Sequence, residues 1–306
     1  MTKHLLFVAD EHVLLRRKGV PAEFEKLRYS QLFEKLLNLS ASSSCAAVIH
    51  GGDLFDRSPT IQETASVVRY LNAVIKPTYI ISGNHEQIKK DTTFLSELSD
   101  MITNPLVTII TNYATYNIAD RAIDFIPFNR LKQFEKEGNT ELNSELLITH
   151  VRGCIPPHVT PEVDLSIFDK WKLVLAGDLH SHSNSQRNIV YPGSPLTTSF
   201  YRTKPKKGIL KVDLGTLGVE FIDLNLPALI KLTVASKDDI VENTSQDFIA
   251  YDIVPKVEAI IEAKEDMVFH KESSREDAIL AVLETTEAKK QEVIQLYGDI
   301  TRNRGY

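Results

Sequence analysis

Short apolar runs alternate with longer amphipathic stretches along the first third of the chain. HLLFVAD (4–10) is an apolar run that ends in a carboxylate and predicts a buried strand. FEKLRYSQLFEKLLNLSAS (24–42) spaces its apolar residues at helical intervals and predicts an amphipathic helix. CAAVIHGGD (45–53) repeats the first pattern, TIQETASVVRYLNAVI (60–75) the second, and PTYIISGNHE (77–86) the first again. Strand, helix, strand, helix, strand is the pattern of a parallel α/β unit.

The rhythm then changes. LVTIITNYATYNIADRAIDFIPF (106–128) predicts several strands joined by turns, and RLKQFEKEGNTELNS a helix followed by a loop. ELLITHV (145–151) and KWKLVLAGDLH (170–180) are two more buried strands, each ending in histidine, with Trp171 packing at the start of the second. KGILKVDLGTLGVEFIDL (207–224) predicts a closing hairpin turned at LGTLG. Beyond Leu226, ALIKLTVA and DFIAYDIV read as strands and residues 274–300 as a helix. On that helix Ala278, Ile279, Val282 and Leu283 form an apolar stripe, suited to its own core or to a partner. This places a boundary near residue 226, with a large domain at 1–225 and a small α/β appendage at 226–306.

Composition narrows the class. No stretch of about 18 uncharged apolar residues exists, so no membrane span is expected. The two cysteines, Cys45 and Cys154, exclude a four-thiolate zinc site and fit a reducing, cytoplasmic setting. Both read as buried small hydrophobes. The net charge of −6 speaks against nucleic acid only weakly, because divalent cations in a site add local positive charge. Two basic clusters, Arg16-Arg17-Lys18 and Arg202-Lys204-Lys206-Lys207, offer surfaces for DNA or simply solvated loops.

The chemistry gathers at strand ends, where open α/β sheets place their ligands. Asp10 and His12 follow the first strand, Asp53 and Asp56 the second, and Asn84, His85 and Glu86 the third. His150 ends a fourth strand, and Asp178, His180 and His182 follow a fifth at alternate positions, on one side if that segment is extended. Carboxylate, imidazole and one amide oxygen, without thiolate, favour manganese, iron or zinc over a calcium cage. Four or five converging strands give about seven or eight ligands, enough for the two metals that suit phosphoryl chemistry. His50, inside a strand, reads as structural.

D-x-H (Asp10, His12), G-D-x-x-D-R (Gly52 to Arg57), G-N-H-E (Gly83 to Glu86), the lone His150 and a late G-x-x-H (Gly177 to His180) together resemble the calcineurin-like metallophosphoesterase superfamily. GDLFDR, GNHE and YPGSPLTTSFYR (191–202) resemble its SbcD-type nucleases, in the compact phage form. The resemblance implies an α/β fold, a four-layer α/β/β/α sandwich with a small C-terminal α/β capping domain. It implies a DNA exonuclease or endonuclease of recombination and repair with two Mn2+, where Mg2+, Fe2+ or Zn2+ are alternatives. It implies an SbcC-type ATPase partner and a homodimer within a heterotetramer. A phosphatase or phosphodiesterase of small or protein substrates shares the core motifs.

Carried over by residue, the resemblance puts Asp10, His12 and His180 on one metal, Asn84 and His150 on the other, and Asp53 between them. His85 becomes the non-ligand histidine that protonates the leaving oxygen, with Glu86 holding it. Asp56 and Arg57 orient the site. Arg16, Arg17, Lys18, Arg202 and Lys204 become candidate DNA contacts. The last motif departs from the family's G-H-x-H. Either Asp178 replaces the first histidine, or His180 and His182 are the pair slipped by two. Gly177, which precedes the pair in the family pattern, favours the first register. An aspartate there would shift preference toward manganese or magnesium and away from zinc.

Overall fold

The computed structural model describes residues 2–89 and 92–254. The expected helix at 274–300, with its apolar stripe, lies outside the described residues. The strands are β1 His4–Val8, β2 Cys45–His50, β3 Thr78–Ile81, β4 Gln87–Lys89, β5 Thr92–Thr93, β6 Val107–Ile110, β7 Ala114–Ile118, β8 Arg121–Ile126, β9 Leu146–His150, β10 Leu173–Gly177, β11 Ile189–Val190, β12 Gly208–Asp213, β13 Val219–Asp223, β14 Leu229–Val234 and β15 Phe248–Ile253. The helices are α1 Ala22–Ser40, α2 Ile61–Ala73, α3 Phe94–Ser99 and α4 Leu131–Glu137.

Two sheets stack face to face. The first runs β13-β12-β1-β2-β3-β6, and the second β11-β10-β9-β8-β7. β1, β2, β3 and β6 are parallel, as the strand–helix alternation predicts, while the β12–β13 hairpin adds antiparallel at the β1 edge. Every residue of β1 is buried. Successive side chains of a strand point to opposite faces, so a strand covered on both sides must be apolar throughout. Leu5 and Phe7 enter the space between the sheets, against Phe125, Ile148 and Leu175. Leu6 and Val8 face the opposite way, into a core with Leu32 and Leu36 of α1 and Val67 and Leu71 of α2. A third core covers the outer face of the second sheet, where Leu147 and Val174 meet Leu131 and Phe134 of α4 and the buried Trp171. The layers are helix, sheet, sheet, helix.

These layers bring the carboxyl ends of β1, β2, β3, β9 and β10 together. Register fixes the alignment: β9 and β10 pair Gly177 with His150, and β1 and β2 pair Val8 with His50. The chain leaves the second sheet through the YPGSPLTTSFYR segment. Arg28 of α1 holds that segment by donating to Thr197 O (2.7 Å), and it also donates to Pro227 O (3.0 Å), after the β12–β13 hairpin. β14 and β15 pair as a separate hairpin, and Phe248 packs against Phe24 of α1 with ring centroids 5.4 Å apart.

Cys45 is buried, but Cys154 is exposed in the loop after β9, which corrects the expectation that both are core residues. A small apolar residue is buried only where a layer covers it, and this loop lies outside the stacked layers.

Candidate metal centre

Residues 8–13 of the first strand's exit run beside residues 52–54 of the second, joined by Asp10 N–H to Gly52 O (3.0 Å), His12 N–H to Asp53 O (3.0 Å) and Val13 N–H to Leu54 O (2.9 Å). This pairing forces left-handed backbone on side chains that normally avoid it: φ is 58° at Asp10, 47° at His12 and 54° at Asp53. Asp178 stands at 105°. Such conformations cost about 1–3 kcal/mol each and persist where the surroundings over-determine them. The β3 exit must pass against Asp53, and Gly83 alone permits it, because a Cβ there would overlap the Asp53 carboxylate.

The exits converge three groups of donors. Asp10, His12 and His180 form one, Asp10, Asp53 and His150 a second, and His12, Asp53 and His85 a third, each with ligand atoms within 4.8 Å of one another. Asp53 stands at the junction. Its Oδ2 lies 3.5 Å from His150 Nε2, 3.7 Å from His12 Nε2 and 3.8 Å from His85 Nε2. Asn84 Oδ1 lies 3.1 Å from His150 Nε2. His12 Nε2 and His180 Nε2 face each other at 2.9 Å. Two ring nitrogens aimed at one point beside two buried carboxylates suit a cation, and the oxygen and imidazole donor set suits a first-row divalent ion or Mg2+.

The electrostatics follow from burial. Burial alone would raise Asp53, but the imidazoles of His150, His12 and His85 outweigh it and hold this carboxyl below the usual range. Burial pushes Asp10 upward, with the facing Asp53 adding to the effect. Burial opposes charge on His150, yet the carboxylates of Asp53, Asp10 and Asp178 lift it to about 10. Burial lowers His12 to about 3, so its ring is neutral and fit to be a ligand.

Neighbouring groups orient the donors. His150 Nδ1 donates to Gly51 O (2.8 Å), which leaves Nε2 for the site. Tyr29 OH donates to the His12 carbonyl. Thr198 Oγ1 sits 3.3 Å from His180 Nδ1, and Lys207 Nζ donates to His180 O (2.7 Å). Burial lowers Lys207 to about 8.

Glu86 does not hold His85, contrary to expectation. Its buried carboxylate accepts the backbone N–H groups of Asp53 (3.0 Å), Phe55 (2.9 Å) and Gly83 (2.8 Å), and so fixes two strand exits. His85 is held instead by Nδ1 donation to the carbonyl of Asp56. The Asp56 carboxylate lies 3.5 Å from His12 Nδ1. Arg57 pairs with Glu63 (3.3 Å) on α2 rather than entering the site. His50 is structural in form: buried, with Nδ1 on Glu11 and Nε2 3.1 Å from Tyr70 OH.

β10 stops at Gly177, so residues 178–182 do not continue the extended alternation. The Asp178 carboxylate lies against Arg152, with Nε–Oδ2 at 3.1 Å and Nη2–Oδ1 at 3.3 Å, while its backbone N–H donates to Asp10 Oδ1 (3.0 Å). His182 bonds through Nδ1 to Tyr191 O (2.6 Å) and stacks on Phe221 at 4.9 Å. Among the candidate DNA contacts, Arg16, Lys18 and Arg202 are exposed. Lys204 pairs with Asp247 (2.9 Å). Arg17 turns inward to Glu25 (3.1 Å) and Thr198 O (2.5 Å). Arg152 and Thr198 escaped the sequence reading, and Lys207 entered it only within a basic cluster offered to DNA or solvent, not as a partner of His180; a basic residue two places after His150 is the signal that marks the first.

The calcineurin-like phosphoesterase model matches residues 3–205, which contain every donor described above. The chain belongs to the calcineurin-like phosphoesterase family. It is a metal-dependent phosphoesterase. Among relatives of this phosphoesterase, "Probable exonuclease subunit 1" of Escherichia phage T5 is 35% identical over 261 residues, 83% of this chain and 79% of that one. "DNA double-strand break repair protein Mre11" of Methanosarcina acetivorans is 26% identical over 301 residues, 92% of this chain and 48% of that protein. The phosphoesterase therefore spans about half the length of this Mre11 relative.

Proposed function

We propose that the chain is a DNA nuclease subunit that hydrolyses phosphodiester bonds at a pair of divalent ions, Mn2+ foremost, in DNA end processing or repair. The position of Asp53 between two donor groups carries this reading, and the names of the relatives support the DNA substrate. Asp10, His12 and His180 would hold one ion, Asn84 and His150 the other, with Asp53 shared. Asp178, whose carboxylate accepts from Arg152, would be a further ligand of the second ion through its remaining lone pairs. When bound, the ions would activate water at neutral pH and neutralise charge on the phosphoryl oxygens.

The chain's own residues supply position and protons. The Asp56 carbonyl can only accept, so His85 Nδ1 carries a proton and Nε2 is left to exchange one with a leaving oxygen. Arg16, Lys18, Arg202 and Lys204 are proposed DNA contacts. Arg17 acts through the Glu25 and Thr198 contacts that place its neighbours. Residues 226–306 are proposed as a capping and partner-binding segment that docks an SbcC-type ATPase, the chain acting as a homodimer within a heterotetramer in the cytoplasm of its host cell.

The test is Mn2+-dependent cleavage of linear double-stranded and single-stranded DNA, beside hydrolysis of bis(p-nitrophenyl) phosphate. DNA cleavage abolished by EDTA and by Asp53→Asn is the expected result. Hydrolysis of the small diester with DNA untouched would replace the nuclease by a phosphodiesterase of small substrates.

A further inference from the structure

Beside the metal centre lies a groove of about 690 Å³, within the size range of small-ligand sites, that none of the proposed roles uses. Phe128, Asn129, Arg130, Lys132, Gln133 and Lys136 line it. Its origin is local. β8 ends at Ile126, Pro127 turns the chain, and a short 3-10 segment at Phe128–Arg130 leads into α4. Leu131 and Phe134 of α4 point into the third core, where Phe134 packs on Trp171 at 5.8 Å. Helical geometry therefore sends Lys132 and Lys136, four residues apart, out together on an exposed face.

The groove is tied to the site at two points. Phe128 N–H donates to Ser82 O (3.1 Å), and Ser82 Oγ lies 3.2 Å from Asn129 Oδ1, directly before the Gly83–Glu86 exit. The Phe128 ring stands edge-to-face on His150 at 6.0 Å, so the groove begins at an imidazole of the donor cluster. Glu137 and Glu162 also line the groove, Glu137 accepting from Gln133 Nε2 (2.9 Å) and Glu162 the backbone N–H of Arg152 (3.2 Å). Arg130 is itself bonded to Gln133 Oε1 (3.4 Å), and Lys132 and Lys136 are the exposed cations of this wall. In a chain of net charge −6, this lining carries one net positive charge beside a half-buried aromatic.

We propose that this groove binds single-stranded DNA next to the scissile phosphate, with a base against Phe128 and the following backbone phosphates along Lys132 and Lys136. This rests on the nuclease reading of the metal centre. Aromatic faces take any base, and lysines track a backbone without reading sequence, so the groove would hold a strand irrespective of its sequence. A duplex offers no unstacked base for Phe128, so single strands should be preferred.

The experiment is fluorescence anisotropy of a labelled oligothymidine and of a labelled duplex with the full chain in EDTA, which separates binding from cleavage. Lys132→Glu/Lys136→Glu should weaken single-strand binding about tenfold or more and flatten its salt dependence, because each lost phosphate contact removes counterion release. Phe128→Ala should weaken it by about five- to a hundredfold, and Phe128→Trp should restore it. Melting temperature controls for folding, and the surface lysine variant stands if Phe128→Ala fails to fold. Unchanged single-strand affinity in the lysine variant, or equal losses for single strand and duplex, would overturn the proposal. If the groove variants lose single-strand binding while the wild type cleaves no DNA with Mn2+, the groove stands and the nuclease reading falls. No wild-type binding to single strands overturns the groove alone.

Discussion

His150 is where proton and metal compete. Its folded-state pKa, about 10, lies above the unfolded value near 6.5 because three carboxylates face it. In the metal-free chain it therefore adds stability below pH 6.5 that is lost as pH rises through 10. A metal must displace that proton, so apparent metal affinity should rise nearly tenfold per pH unit between about 7 and 9. Titration calorimetry in buffers of different protonation enthalpy should show about one proton released as the ion held by His150 binds. A flat affinity with no release would remove His150 from the ligand set. Asp178 and His182 are separated by a second comparison. If the Gly177 register holds, Asp178→Ala should lower metal content and His182→Ala should keep it, measured by elemental analysis after dialysis. The reverse pattern would make His182 the ligand. Asp10, His12, Asp53, Asn84 and His150 were legible because donor types at strand ends report their own chemistry. Glu86 was not: its partners are backbone N–H groups of three different residues, and sequence spacing carries no trace of them.

At the level of elements, α1 is more than a cover for the first sheet. Glu25 and Arg28 are both fully buried and pair at 3.0 Å, and Arg28 reaches the Thr197 and Pro227 carbonyls. Glu25 has a second cation in Arg17 at 3.1 Å, so losing Arg28 leaves it paired but strips the Thr197 and Pro227 carbonyls of their donor, whereas losing Glu25 leaves Arg28 a buried charge without a carboxylate. Arg28→Ala should cost about 1–3 kcal/mol in urea unfolding, and Glu25→Ala about 3–5 kcal/mol. α2 is capped by a reciprocal pair, with Thr60 Oγ1 accepting from Glu63 N (3.3 Å) and Glu63 from Thr60 N (2.7 Å). Glu63 also accepts Leu15 N–H (2.8 Å). Thr60→Ala should therefore cost about 1 kcal/mol, the ordinary worth of a cap, whereas Glu63→Ala should cost more, since it also frees the loop after His12. Helix and strand positions followed the hydrophobic period closely. The end of β10 did not, because Gly177 and the left-handed Asp178 break a pattern that polar residues at alternate positions would otherwise continue.

Across the whole molecule, the donor set joins the exits of β1, β2 and β3 of the first sheet to those of β9 and β10 of the second. Bound ions would cross-link the two sheets. Chelation should then lower the melting temperature, with about 2.7 kcal/mol lost relative to ions at a hundred times their dissociation constant. Asp53→Asn should melt at the same temperature with and without EDTA, by differential scanning calorimetry. A wild type indifferent to EDTA would mean that metal adds nothing to the joined exits. The sequence by itself determined which segments are buried strands and which donor types end them, because strands buried on both faces must be apolar throughout and ligand chemistry is carried by residue identity; the four layers came from the family resemblance. Tertiary structure alone decided which donors meet, which basic residues face inward, and where the Phe128 groove opens. Those depend on register between strands distant in the chain and on left-handed turns imposed by neighbouring exits, neither of which is encoded in local spacing.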